Sequence, residues 1–372
     1  MPIPAEHPVL TDGVVTLRAP RPDDVQGQLE RNLEDPDRGY GEDDARRWIG
    51  HGITEAWKTG ERLAFVIEYQ GRYAGTASLQ PDADGNARVH YGLYRWARGA
   101  GVASRSVRLL LEFGFGTCGF HVVRWWARVG NWPSRRVAWA TGFSFGETIP
   151  RLAEEGGRRV DAWTGWIGPS DPRKPRKPWF VHPVLETSRL RLRPWRADEA
   201  PRIAAGRTNQ ATAHFLPFVP QPFTAEDARF WLKDLAEQAA SGVRYNWCVA
   251  DSVTDLGLGN LTLFNLHQGL QQGHDGEIGY WLHPDAQGRG VMPEAISRMA
   301  EWYFSPERAG GLDGRRLVIR TAATNHAARR VAEKLNFRHA GTEREAFPLG
   351  NGTLDARVTY DLLTADHRPP HD

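Results

Sequence analysis

A chain of 372 residues, 40% hydrophobic and 25% charged with 15 tryptophans, is neither a disordered tail nor a fibre, and a net charge of +2 excludes a protein built mainly to neutralise nucleic-acid phosphates. Its length suggests two or three domains at roughly 100–200 residues each. The two cysteines, Cys118 and Cys248, form no C-x-x-C pattern, which excludes a disulfide framework and a cysteine-rich zinc site and points to the reducing cytoplasm.

The opening "MPIPAEHPVL" lacks a charged region followed by an apolar one, and no stretch reaches about 18 uninterrupted apolar residues, so neither export nor a membrane span is expected. "TLRAPRPDD" from Thr16 reads as a half-buried strand entering a turn, "EDDARRWI" from Glu42 as helix, and "RLAFVIEY" from Arg62 as strand. Two more strands, "AGTASL" and "VHYGL", lead into the loop "RGAG". Ala103, Val107, Leu110 and Leu111 then recur at helical spacing, a core stripe. "NWPSRRVAWATGF" supplies another helix before a final strand. Next comes "GPSDPRKPRKPWFVHP", residues 168–183, whose prolines favour a stiff extended spacer. Its Lys174, Arg176 and Lys177 suit either a soluble linker or a phosphate contact, although no nucleic-acid partner is expected.

After this linker the same order recurs. Arg18 of "TLRAPRPDD" matches Arg193 of "RLRPWRADE" at an offset of 175; "EDDARRWI" matches "AEDARFWL" at 183, "AGTASL" matches "LGNLTL" at 184, "VHYGLYRWARGAGV" matches "IGYWLHPDAQGRGV" at 189, and "NWPSRRVAWATGF" matches "NHAARRVAEKLNF" at 194. An offset that only grows means that order is kept while loops of the second copy lengthen. Each copy reads as strand, one or two helices, three strands, helix, strand, helix, strand. The domains are therefore placed at 1–167 and 184–365, with the linker at 168–183 and a tail at 366–372. His367 and His371 of the tail sit among prolines, and no metal site is expected.

Gly288 and Gly290 stand just where Met292, Ala295, Ile296, Met299, Ala300 and Tyr303 begin a helical stripe. Glycine costs about 0.8–1.0 kcal/mol relative to alanine within a helix. Two at a helix start point to bare amides approached by an anion, because that terminus carries about half a positive charge. The loop is no Walker motif, since no Lys-Ser/Thr follows, and no dinucleotide fingerprint, since the third glycine is missing.

The pattern resembles the Gln/Arg-x-x-Gly-x-Gly/Ala loop of the GNAT acetyltransferases, which cradles the pyrophosphate of acetyl-coenzyme A. Arg98, Gly99, Ala100, Gly101, Val102 and Ala103 match it fully; Gln287, Gly288, Arg289, Gly290, Val291 and Met292 depart at the last position. "GYWLHPDAQGRGVMPEA" resembles the RimJ/RimL branch, the ribosomal-protein N-terminal acetyltransferases. Asn131 and Asn325 match that branch's Asn-x-x-Ser segment, whose Asn faces coenzyme A. The Ser survives only as Ser134, Ala328 replacing it in the second copy. The resemblance covers nearly the whole chain outside linker and tail. It implies an α/β fold of two tandem GNAT-like domains, each a mixed, mainly antiparallel sheet flanked by helices, with acetyl-coenzyme A as co-substrate and no metal.

Acetyl transfer needs an uncharged amine, so a carboxylate is wanted as base. Glu277 opens "EIGYWL", and strand alternation puts it on one face with Gly279 and Trp281. It reads either as a general base acting through water or as the partner of a neighbouring arginine. Arg88 holds its place in the first copy and cannot accept a proton. There His90 is either a substitute base or an ordinary histidine. Ser134, by the resemblance, is either the acid for the leaving thiolate or a helix cap. Phe215, Phe218 and Trp281 are candidates for a substrate cleft, or for ordinary packing.

These residues lead to an N-acetyltransferase with turnover in the second domain, the first binding coenzyme A, substrate or a partner. The RimJ/RimL resemblance implies a peptide or protein α-amine as acceptor, peptide natural products included. Two rivals remain, a small-molecule enzyme for antibiotics or polyamines and a non-catalytic coenzyme-A-binding protein. Oligomeric state is left open.

Overall fold

A computed structural model describes residues 4–33, 41–268 and 274–367. The chain divides into two compact units, Met1–Arg176 and Lys177–Asp372. The divide falls inside the proline-rich stretch.

The first unit runs β1 (Leu10–Thr11), β2 (Val15–Arg18), α1 (Asp24–Leu33), α2 (Glu42–Arg47), a π-helical turn and α3 (Ile53–Thr59), then β3 (Leu63–Tyr69), β4 (Arg72–Pro81), β5 (Ala87–Leu93), α4 (Val102–Gly116), β6 (Val123–Arg128), α5 (Trp132–Ala140), β7 (Ser144–Glu155) and β8 (Arg158–Ile167). Its eight-stranded sheet has the order β1-β2-β3-β4-β5-β6-β8-β7, antiparallel throughout except for β5 beside β6. The second unit repeats the plan with β9 (Leu185–Glu186), β10 (Leu190–Arg193), α6 (Ala200–Thr208), α7 (Gln210–Phe215), α8 (Ala225–Ala240), β11 (Tyr245–Asp251), β12 (Gly257–Gln268), β13 (His274–Leu282), α9 (Val291–Phe304), β14 (Gly314–Ala322), α10 (His326–Lys334), β15 (Arg338–Pro348) and β16 (Leu354–Leu363). Its eight strands are ordered β15-β16-β14-β13-β12-β11-β10-β9, with β13 and β14 parallel.

The apolar stripes fold as their spacing requires. Met292, Ala295, Ile296, Met299, Ala300 and Tyr303 of α9 are all buried with Leu261, Leu263, Ile278, Leu317 and Ile319 of the sheet, each large side chain contributing about 1.5–3 kcal/mol. Val107, Leu110 and Leu111 of α4 do the same against Phe65, Leu79 and Val123, joined by Val102 rather than by Ala103, which is only half-buried. The repeat marker Arg18 is nearly buried and bonds Asp24 at 2.8 Å and Glu68 at 2.6 Å; Arg193 bonds Glu199 and Asp255, both at 2.8 Å. Removing one partner of such a buried pair costs about 3–5 kcal/mol.

Where a single strand was expected at each end of a copy, the structure has hairpins. β1 and β9 are two residues long, and β7 and β15 are largely exposed on both faces, so neither shows the alternation that marks a half-buried strand. The proline-rich stretch is tied at its middle and at its end. Arg176 donates from Nε to the Gly142 carbonyl at 3.0 Å, and Trp247 donates to the Pro183 carbonyl at 2.9 Å, while Lys174 to Pro178 stay exposed.

Candidate functional site

The register of β13 with β14 ends at Ile278 opposite Ile319, although the strands continue to Leu282 and Ala322. Parallel neighbours that stop pairing splay apart, and peptide groups facing the gap lose their ladder partners. A cleft of about 560 Å³ opens there, lined by Gly279, Tyr280 and Trp281 from one strand and Arg320 and Thr321 from the other. In the first unit β5 and β6 pair only at Ala87 with Val123 and Arg88 with Arg124 before they part.

The cleft runs onto the glycine loop. Gly288 and Gly290 both have φ +73°, the left-handed region, and Gly290 caps α9. A Cβ at Gly288 would meet no atom within 4 Å, so backbone conformation demands the glycine and the space above it is open. Gly99 and Gly101 repeat this at φ +80° and +75° before α4. The first-turn amides of α9 and α4 have no partner within their helices. Cations gather beside them, with Arg330 and Lys334 on the cleft and Arg289 on an adjoining hollow of about 530 Å³. The loop's first residue serves as a strut in both copies. Gln287 donates to the Leu282 carbonyl at 3.3 Å, and Arg98 donates to that of Leu93 at 3.1 and 3.0 Å. Val291 and Met292 are buried under the loop, and both line the cleft.

Asn325 lines the cleft and caps α10, its side-chain oxygen accepting from the Ala328 amide at 3.1 Å. Asn131 caps α5 through the Ser134 amide at 3.2 Å. The Ser134 hydroxyl accepts from Trp125 Nε1 at 3.1 Å and bonds the Tyr91 hydroxyl at 2.9 Å. Ala328 removes that node from the second unit, where the Tyr280 hydroxyl donates to the Ala328 carbonyl at 3.3 Å.

Glu277 lies on the other face of β13. It pairs with Arg320 of β14 and accepts from Asn265 Nδ2 at 2.9 Å. The corresponding pair in the first unit is Arg88 and Trp126, with the guanidinium stacked 3.5 Å above the indole. His90 bonds Gln80 at 3.1 Å, and burial, reinforced by Arg88 and Arg62, pushes its imidazole down to about 3. A nitrogen that weakly basic is a poor acceptor for an ammonium proton.

Phe215 and Trp281 line the cleft, Trp281 also stacking on Trp195 at 5.9 Å. Phe218 is 83% exposed and is not among the lining residues; Phe223, in the same connection between α7 and α8, is the buried one. Arg320, Tyr280, Lys334 and Phe347 of the cleft escaped sequence reasoning. The signal for Tyr280 was present, since Tyr91 repeats it at the glycine-loop offset. Among the described residues no three His, Cys, Asp or Glu are grouped to hold a metal, and no helix is long and apolar enough to cross a membrane. His371 lies outside the described residues.

A family profile described as "Acetyltransferase (GNAT) domain" matches residues 15–144 and 189–338, more than half of the chain. The chain belongs to the GNAT acetyltransferases. Among curated relatives, "Putative ribosomal N-acetyltransferase YdaF" of Bacillus subtilis is 29% identical over 101 residues, covering 27% of this chain and 52% of YdaF. The chain thus spans about half of YdaF's length. "Probable N-acetyltransferase YjcK" of the same organism is 24% identical over 144 residues, 39% of this chain and 75% of YjcK. The solved ribosomal-protein-S5-alanine acetyltransferase of Vibrio fischeri superposes with a TM-score of 0.43 at 21% identity, covering 50% of this chain and 100% of that one.

Proposed function

We propose that this GNAT acetyltransferase moves an acetyl group from acetyl-coenzyme A to the α-amine of a protein or peptide in the cytoplasm, and that turnover resides in the second unit. The observation that carries this is Glu277, a carboxylate on a splayed cleft strand whose counterpart in the first unit is Arg88. The open amides of Gly288 to Met292, with Arg289, Arg330 and Lys334 around them, suit a pyrophosphate. Asn325 would orient the extended part of the coenzyme. The freed β13 peptide groups can hold an extended chain as a neighbouring strand would. Glu277 then takes the ammonium proton, directly or through water, and its bonds to Arg320 and Asn265 fix the carboxylate's orientation. In the first unit Arg98 to Ala103 and Asn131 would bind the coenzyme without turnover, because neither Arg88 nor a weakly basic His90 suits the proton step.

The α-amine is favoured on energetic grounds. Its pKa near 7.7–8 lies about 2.5 units below that of lysine, so deprotonating lysine costs roughly 3.4 kcal/mol more. The name of YdaF, a putative ribosomal N-acetyltransferase, supports an acceptor of protein kind. Release of coenzyme thiol, measured on peptides with free α-amines, α-blocked lysine peptides, polyamines and aminoglycosides, tests this reading. Preference for the first set supports it. Turnover of polyamines or aminoglycosides alone would replace it with a small-molecule enzyme, and coenzyme binding without any thiol release would leave a binding protein.

A further inference from the structure

The two sheets carry the same cross-strand row with opposite chemistry. In the first unit Leu63 pairs with Leu79, which places Arg62 beside Gln80; Gln80 pairs with Arg88, and Arg88 with Arg124. The residues at the matching registers of the second unit are Arg244, Phe264, Glu277 and Val318. One row thus holds three guanidiniums and an amide, and the other a single carboxylate between apolar neighbours and one arginine.

Like charges on adjacent strands destabilise a sheet, and a guanidinium taken out of water needs a partner. Asp82 serves Arg124 at 3.4 Å. Arg88 has neither a carboxylate nor a hydrogen-bond partner among the described residues, and its Nε is shielded from water by the stack on Trp126. Burial and the nearby Arg62 push it down to about 10, the direction expected of a cation without a counter-charge. His90, two residues along the same face, is held by Gln80 and adds no negative group. Arg88, His90, Gln80 and Arg62 are only half-buried, so the row is reachable from solvent.

We propose that this row of the first unit is a receptor for a carboxylate, with the Arg88 fork, pre-set by the flat stack on Trp126, as its bidentate donor and Arg62 as the flanking charge. The carboxylate belongs either to a small dicarboxylic acid or to an acidic peptide. The inference concerns the first unit alone and does not depend on where turnover resides.

Calorimetric titration of the full chain in low-salt buffer tests it with three probes: succinate, an N-acetylated and C-amidated tetraglutamate peptide, and inorganic phosphate. Binding of succinate or of the peptide is expected, and which of them binds identifies the source. Arg88→Gln should weaken that binding at least tenfold and Arg62→Gln several-fold, with the thermal midpoint unchanged or raised because an unpaired buried charge is gone. Arg88→Lys keeps the charge without the fork and should weaken binding at least threefold, which decides the matter should Arg88→Gln fail to fold. No carboxylate binding at millimolar concentration, binding of phosphate only, or affinity unchanged in the Arg88 variants would overturn the proposal.

Discussion

Glu277→Gln separates chemistry from stability, because the two effects differ in size by the geometry of its contacts. The side chain of Arg320 is 38% exposed and that of Glu277 13%, so the ion pair resembles a surface bridge worth about 0.2–1 kcal/mol. The substituted amide keeps the shape of the carboxylate and an oxygen able to accept from Asn265. Unfolding should therefore shift by at most about 1 kcal/mol, roughly 2–4 °C in Tm for a unit of this size. Loss of a positioned base instead lowers turnover by about 10²–10⁴-fold, which is roughly 3–5 kcal/mol in the barrier. The assay is thiol release under saturating acetyl-coenzyme A across pH 6.5–9.5, with coenzyme affinity measured alongside. The deficit should shrink above pH 8, where a peptide α-amine deprotonates without help, and persist for a lysine peptide, whose amine is still charged there. A Glu277→Gln enzyme with near-full turnover at pH 7, or a deficit independent of pH, would refute the base assignment.

Gly288→Glu should remove one coenzyme A equivalent from the calorimetric stoichiometry, and Gly101→Glu the other; Gly288→Ala carries only the backbone strain of about 1–2 kcal/mol and so isolates the effect of the carboxylate. His90 is held neutral in the folded state, with its imidazole lowered to about 3 against about 6.5 when unfolded, so its contribution is fully present above pH 6.5 and lost as pH falls towards 3. His90→Gln should flatten the pH dependence of the denaturant midpoint between pH 6.5 and 4, and parallel curves for the two proteins would contradict this. Trypsin should cut first at Arg176–Lys177 in the exposed stretch and leave fragments close to 1–176 and 177–372; earlier cuts inside a sheet would contradict the 168–183 connector.

What the sequence showed and what it hid follow from distance along the chain. The glycine loops and the α4 and α9 stripes are local patterns of period 3.6 or fixed offset and were legible, whereas the helix-cap role read for Ser134 belongs to Asn131, and to Asn325 in the second unit. The partner of Glu277 was not legible, because Arg320 lies 43 residues away, beyond the α9 crossover, and only the parallel pairing of β13 with β14 brings them together. That Phe218 turns outward was hidden because the α7–α8 connection has no periodicity to say which ring turns inward. The hairpin strands β7 and β15 were invisible for the opposite reason, since exposure on both faces erases alternation.

The duplication adds a comparison that neither copy offers alone. The positive-φ glycines, the Asn caps, the strut from the loop's first residue and the Tyr91/Tyr280 hydroxyls are kept in both units, and all belong to the loop and the α4/α5 or α9/α10 side of the sheet. The reversal of charge falls on the opposite face, where Glu277 with Arg320 stands in one unit and Arg88 on Trp126 in the other, while the loop side loses only the Ser134 hydroxyl to Ala328. Charge reverses between Arg88 and Glu277, at the last paired register of β5 with β6 and one register before the last of β13 with β14. The change along that row, Gln80 to Phe264, Arg88 to Glu277 and Arg124 to Val318, fits the two proposals together, in which both units keep a coenzyme on the glycine-loop side and hold different chemistry across the sheet from it.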